Sequence, residues 1–242
     1  MEPKKKKQVS PGAQHHKDAA PKGLVEMLTT MTNRFQLSMS EKDLIEIIKK
    51  SIKAVVSARG FENPSLGPDD NHLSELFARF LQQKDHHTGV LLWGKSGCGM
   101  TTRLKAVDLL MRNLLDLIPE LEYLVQFVAA TDLIYPNATM ELYKELRDVD
   151  LLILDDLGYE QGRGNTSKLA QSLIGELLIK RHDEMRPTII SSLFDIDNLG
   201  DIYGQRVANI IRESYHVMEL TTNFRREIIN ARQGHNPQYY EI

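Results

Sequence analysis

The stretch "LLWGKSGCGMTTRL", residues 91–104, spaces glycines, a lysine and two threonines in a way suited to holding a polyphosphate. It follows the pattern G-x-x-x-x-G-K-[ST] at every fixed position but one. Gly94, Gly99 and Thr101 are in place, and Met100 stands where the lysine belongs. In such a loop the successive backbone N–H groups of a strand-to-helix turn face an anion, and the helix N-terminus adds partial positive charge. Gly94, Gly97 and Gly99 allow the backbone angles and close approach this requires. The candidate cradle runs through Lys95, Ser96, Gly97, Cys98, Gly99, Met100, Thr101 and Thr102, with the Thr101 hydroxyl as the expected Mg2+ ligand.

About 50 residues downstream, "LLILDD" ends an apolar run with two acids, Asp155 and Asp156. A carboxylate at the carboxyl end of a strand adjacent to the cradle is where the metal-bound water of a triphosphate site is held. Consecutive strand residues point to opposite sides, so the two acids take different tasks. Asp155 is assigned to the Mg2+ shell, and Asp156 to orienting or activating the attacking water. The competing reading, an acid pair capping a helix at a strand end, leaves the cradle upstream unexplained. The expectation is a P-loop domain with ATP and Mg2+ as its ligands.

Methionine at position 100 weakens that expectation. The motif's lysine reaches the β- and γ-phosphates as a full charge, whereas methionine is nearly as long but has neither charge nor donor. At an effective dielectric near 20 and about 4 Å, the missing attraction is of order 4 kcal/mol before desolvation is netted off. Half of that is already more than a tenfold loss in affinity. The lysine also stabilises transition-state charge, so turnover is expected to suffer as well. Lys95 and Arg103 are near in sequence, but neither occupies the residue that faces the phosphates.

The elements that must position these residues alternate. "TGVLLWG" reads as a strand, followed by a helix from about Thr101 to Leu115 with Leu104, Val107, Met111 and Leu114 on one face. "LEYLVQFVAA" is a second strand, residues 131–147 a helix, and "DLLILDD" a third strand. A long helix over 167–184, the strand "PTIISSL", a short helix around 203–213 and the strand "YHVMEL" complete the series. This implies an α/β fold, a mostly parallel sheet with helices on both faces. The unbroken run Leu151–Leu154 marks a central strand.

Ahead of this core, Ser40 with Asp43 begins a helix in which Leu44, Ile47, Ile48, Ile52, Val55 and Val56 recur at helical spacing up to Gly60. After the break "FENPSLGPDD", Asn71 or Ser74 opens a second helix carrying Leu73, Phe77, Phe80 and Leu81. The expected organisation is a basic, disordered arm over 1–39, a helical segment over 40–85, the P-loop core over 86–222 and a tail over 223–242.

A chain of 242 residues with 41% hydrophobic and 26% charged residues suits one domain with appended segments. Its net charge of −3 gives no global attraction to nucleic acid or membrane, so any such contact must be a local patch. The single cysteine, Cys98, excludes an internal disulfide, and no Cys/His cluster suggests a metal site. Lys4 to Lys7 are either a phosphate-binding or import patch or a solvated tail. No apolar core of a signal peptide and no spanning run occurs, so a cytoplasmic chain is expected, or a nuclear one if Lys4–Lys7 act as an import signal.

Taken in order, "LLWGKSGCGMTT", "LLILDDLGYE", "LLIKRHDEMRPTIISSL" and "YGQRVANIIRES" resemble the helicase-loader and transposition-helper branch of the AAA+ ATPases, the DnaC-like and IstB-like proteins. The resemblance covers roughly residues 75–225, and its more specific parts are "ILDDLG" and the "RPTII" strand after a long helix. It implies that Asp155 and Asp156 are the acid pair of the second motif. Ser192 falls on the polar sensor of the γ-phosphate, where the family more often carries Thr-Ser-Asn or Thr-Asn. Arg206 falls on the first arginine of a two-arginine segment that reaches into a neighbouring subunit's site. The second falls on Ile210, a departure for which Arg212 is the substitute, and Arg225 falls on a terminal arginine. Arg206 and Arg212 stand roughly 120° apart around a helix, which leaves Val207, Ile210 and Ile211 for the buried face.

The same resemblance implies a homo-oligomeric ring or filament with ATP between subunits, acting on DNA and delivering a hexameric helicase or a transposase. The partner would dock on residues 1–60, which lack zinc-binding cysteines. Three functions follow. The leading one is an ATP-controlled assembly factor acting on DNA, with hydrolysis impaired by Met100. The second is a non-hydrolysing scaffold or DNA-binding protein that keeps the fold. The third, a small-molecule kinase, lacks an arginine-rich lid segment and suits the acid pair less well.

Overall fold

The computed structural model describes residues 35–222, apart from 62–63, 85, 119–120, 135–138 and 161–164. Lys4–Lys7, Arg225 and the tail over 223–242 lie outside the described residues.

Ser40 starts the first helix, α1 (Glu41–Ser57), by accepting the Asp43 backbone N–H on its hydroxyl at 3.1 Å. Leu44, Ile48, Ile52 and Val56 form its buried stripe at four-residue spacing. The second helix, α2 (Pro68–Leu81), begins earlier than Asn71 or Ser74. Pro68 suits a first turn, where no N–H is needed, and the Asp70 carboxylate accepts the Gly67 N–H at 2.9 Å. Residues 35–39 correct the expected arm. Phe35 and Leu37 are buried, the Phe35 ring packs at 4.8 Å from that of Tyr123, and Leu37 N–H bonds Leu81 C=O at 2.9 Å. Two apolar side chains this close to the α2 end are better buried than solvated.

Five strands follow: β1 (Gly89–Gly94), β2 (Val125–Ala129), β3 (Leu151–Leu157), β4 (Thr188–Ser192) and β5 (Tyr215–Leu220). They lie in the order β2-β3-β4-β1-β5, every pairing parallel. Between them run α3 (Met100–Leu117), α4 (Met140–Asp148), α5 (Asn165–Asp183), α6 (Ile196–Tyr203) and α7 (Gln205–Ser214). Alternate strand residues feed two cores. Val90, Leu92, Leu151, Ile153 and Ile189 pack with α1, α2 and α3. Leu91, Leu152, Leu154 and Ile190 pack with α4, α5, α6 and α7. A period of two on strands covered on both faces produces this division. The fold is α/β, a parallel sheet between two helical layers.

One expected helix is subdivided, and one further helix joins the series. In place of one helix over 131–147, a 3-10 turn (Ala130–Leu133) precedes α4, which Thr139 caps by accepting the Leu142 N–H at 3.2 Å. The helix expected around 203–213 is α7, and α6 precedes it. Gly204, at φ 95°, parts the two helices in a conformation that other residues avoid.

A buried arginine locks the amino ends of β3 and β4, opposite the glycine loop. Arg181, near the end of α5, donates to the carbonyls of Leu146, Arg147 and Val149 at the end of α4, to Pro187 C=O, and to Thr188 Oγ1. These are carbonyls that a helix terminus leaves without partners. Burial lowers its pKa to about 10, so it stays charged at neutral pH. Among the described residues no helix is long and apolar enough to cross a membrane.

Candidate nucleotide site

The carboxyl ends of β1, β3 and β4 converge, with β4 between the other two. The acid-bearing strand is therefore not adjacent to the cradle strand, as the sequence suggested, and the serines of β4 stand between them. Past Gly94 the loop tightens through a Cys98 N–H to Lys95 C=O bond of 3.1 Å. Gly97 and Gly99 sit at φ 94° and 90°, angles that a side chain would strain, and α3 starts at once with Met100. Lys95 and Ser96 are exposed at the loop's tip, while Thr102 is buried.

Thr101 Oγ1 donates to Asp155 Oδ1 at 3.3 Å, joining the first turn of α3 to the end of β3. Asp155 is 3% exposed and also accepts from Ser191 Oγ. Ser191 in turn accepts the Asp156 N–H at 2.9 Å. Asp156 lies where β3 takes three steps, Leu154 to Leu157, against two on β4, from Ile190 to Ser192. That bulge sets Asp156 at φ 57°, which a short polar side chain tolerates. The two acids thus occupy different environments through a bulge rather than by alternation alone. Burial first, and the neighbouring Asp155 charge second, raise the Asp156 pKa above the ordinary carboxylate value.

Ser192 is placed differently. It is buried, donates to Leu157 C=O at 2.7 Å and accepts the Phe194 N–H at 3.0 Å. The serine that meets the acid is Ser191, which the sequence reading passed over. The resemblance put the sensor on Ser192, the second serine of "TIISS".

Met100 is 5% exposed and belongs to the apolar cluster that includes Cys98, Leu104 and Val107. Burial raises the Cys98 thiol pKa above its ordinary value. Arg103 does not stand in for the missing lysine. It is 2% exposed, pairs through Nε with the buried Asp70 of α2 at 2.8 Å, and donates through Nη1 to Cys98 C=O. It props the loop from beneath. Arg59, beyond the end of α1, donates to Thr102 Oγ1 at 2.6 Å, a contact that no sequence pattern announced.

Behind the acids the turn is fixed by Glu160, which is fully buried. Its carboxylate accepts the Gly158 N–H at 2.9 Å and the Tyr203 hydroxyl. Tyr203 ends α6, so the acid turn is tied to the entry of α7. On α7, Val207, Ile210 and Ile211 are buried. Arg206 is exposed and pairs with Asp183 at 3.2 Å, and Arg212 pairs with Asp197 at 2.7 Å. Neither arginine is brought to the acids of its own chain by these contacts.

A magnesium ion suits the oxygens present. Thr101 Oγ1 and Asp155 Oδ1 are hard donors 3.3 Å apart, and this cation takes few protein ligands beside phosphate oxygens and water. Among the described residues no group of three or more His, Cys, Asp or Glu side chains is placed to hold a metal by itself.

The glycine loop, the acid-ended strand and the strand order together define a P-loop NTPase fold of the AAA+ type. No protein-family model matches the chain, and no curated protein matches it. Solved structures do. DnaA from Aquifex aeolicus bound to AMPPCP superposes with a TM-score of 0.50 and 19% identity, over 71% of this chain and 53% of that one. Domain III of the Thermotoga maritima replication initiation protein DnaA superposes with a TM-score of 0.51 and 16% identity, over 73% of this chain and 75% of that one. The crystal structure of DnaI covers 81% of this chain and 98% of its own at 21% identity, with a TM-score of 0.49 that adds no weight. The chain spans about half the length of the Aquifex protein. At these identities the likeness is one of fold.

Proposed function

We propose that this chain is a nucleoside-triphosphate-binding AAA+ assembly factor that acts on DNA, loading or recruiting a partner such as a replicative helicase or a transposase, with hydrolysis impaired by Met100. The observation that carries the nucleotide reading is the convergence of Thr101, Asp155 and Ser191 beside a glycine loop with two positive-φ glycines. The same fold holds AMPPCP in the Aquifex DnaA, and DnaA is a replication initiator in another matching structure, where it is bound to single-stranded DNA. Those neighbours support the DNA and replication parts. The transposase alternative and the ring or filament rest on the sequence resemblance, and the cytoplasmic location rests on the sequence expectation alone.

In this reading, backbone N–H groups from Gly97 to Thr102 would bind the phosphates, and the Thr101 hydroxyl and Asp155 would hold magnesium. When bound, the ion neutralises charge on the phosphate oxygens. Asp156, with its raised pKa, is suited to take the proton of a water aligned with the γ-phosphate. Ser191 keeps both acids in register. Arg206 or Arg212, exposed on α7, would complete a neighbouring subunit's site.

The test is ATP and ADP affinity with Mg2+, and turnover beside it, for this chain and for Met100→Lys. Lysine is expected to tighten binding at least tenfold and to raise turnover. If lysine changes neither, the second reading takes over, a scaffold that keeps the fold without hydrolysis. Two observations favour that scaffold: Met100 packs into the core, and the Ser192 hydroxyl is engaged by backbone.

A further inference from the structure

We infer that Arg59 is a phosphate-binding residue of this site, placing positive charge on the part of the ligand common to nucleoside di- and triphosphates; the inference rests on the nucleotide reading above. Its guanidinium donates to Thr102 Oγ1 at 2.6 Å. Thr102 lies in the first turn of α3, whose backbone N–H groups open toward the cradle. The backbone that carries Arg59 is held by two turn bonds, Arg59 N–H to Val56 C=O at 3.0 Å and Gly60 N–H to Ser57 C=O at 2.9 Å. An exposed arginine is thereby delivered to the cradle by the end of α1.

The direction of approach follows from the helix. Successive residues turn by about 100°. Thr101 faces Asp155, at the metal and γ-phosphate end, so Thr102 and its arginine lie to one side of that end. Charge there is set off from the γ-phosphate end. The other arginine of this turn, Arg103, is committed inward to Asp70 and Cys98 C=O. A guanidinium offers five N–H donors in a planar fork, so it can take a phosphate oxygen beside the bonds it already makes. This charge does not replace the lysine missing at Met100. It supports binding without supporting γ-phosphate chemistry.

The experiment measures Mg-ADP and Mg-ATP affinity by calorimetry for the full chain, Arg59→Ala and Arg59→Lys, each also in the Met100→Lys background, with ligand-free melting temperatures. Arg59→Ala is expected to weaken ADP and ATP by the same factor, about tenfold or more. Arg59→Lys should recover part of that loss, and the ligand-free melting temperature should stay unchanged. Unaltered affinities in Arg59→Ala would overturn the inference. So would a loss confined to ATP, which puts the charge at the γ-phosphate, or a drop in ligand-free melting temperature that accounts for the weaker binding. If neither the parent chain nor Met100→Lys binds either nucleotide, the nucleotide reading itself falls, a failure seen before any Arg59 variant is compared.

Discussion

Ser191 Oγ donates to Asp155 Oδ1 and accepts the backbone N–H of Asp156 at 2.9 Å, so a single hydroxyl on β4 holds both acids of β3. The arrangement exists because β4 lies between β1 and β3. Ser192, one residue on, bonds Leu157 C=O and Phe194 N–H instead.

The two serines should therefore separate by experiment. In a Met100→Lys background, Ser191→Ala is expected to lower turnover about tenfold, because Asp155 and Asp156 lose their shared partner. Ser192→Ala is expected to leave turnover within a factor of two or three, while stability falls by about 1–2 kcal/mol as buried backbone groups lose a partner. Denaturant melts and steady-state hydrolysis decide it. The opposite ranking would support the sensor role that the resemblance implies for Ser192.

Asp156 carries a pH signature. Its folded pKa is raised by burial and by Asp155, so the folded chain holds this proton more tightly than the unfolded chain does. The stability it contributes is complete below the ordinary carboxylate range and is lost as pH rises through the raised folded value. At neutral pH the charged carboxylate is thus a net cost. Asp156→Asn removes that charge, and asparagine accepts φ 57° as readily. We expect a gain of less than about 1 kcal/mol at pH 7, since the side chain is only half-buried. The gain should fade toward pH 4, and turnover in Met100→Lys should drop about a hundredfold. A gain that persists undiminished at pH 4 would trace to the backbone rather than the charge.

Arg206 and Arg212 make exposed ion pairs within their own chain. Such pairs contribute little, so Arg206→Ala and Arg212→Ala should each change stability by under about 1 kcal/mol. If either reaches a neighbour's site, turnover per chain in Met100→Lys will rise with protein concentration, and the corresponding alanine variant will abolish that rise. Turnover that is independent of concentration and indifferent to both substitutions removes the finger assignment.

Arg181 is a structural prediction with no catalytic part. Arg181→Leu strands the carbonyls of Leu146, Arg147, Val149 and Pro187 away from their donor. A loss of about 3–5 kcal/mol is expected, with the midpoint of urea unfolding as the measurement. A loss below about 1 kcal/mol would mean that water replaces the guanidinium.

Much of the fold could be read from periodicity. Leu151–Leu154 announced a central strand because a strand covered on both faces is apolar at every position. The stripe Leu44, Ile48, Ile52 and Val56 announced α1, and Ser40 its start. The misreadings arose where local pattern carries no such signal. Nothing in 131–147 separates a 3-10 turn from a helix, and α6 stands where no helix was expected.

The chain's own residues determined that a glycine loop opens a helix, that two acids end a buried strand, and that Met100 interrupts the motif, since these depend on neighbours along the sequence. Tertiary structure decided which side chains meet. Inserting β4 between β1 and β3 brought its serines to the acids, the register across the β3 bulge set Ser191 against Asp155, and packing α2 beneath the loop committed Arg103 to Asp70. The close of α1 brought Arg59 to Thr102 across 43 residues of chain. Such pairings depend on strand order and helix packing, which act between residues far apart in sequence and leave no pattern at either end.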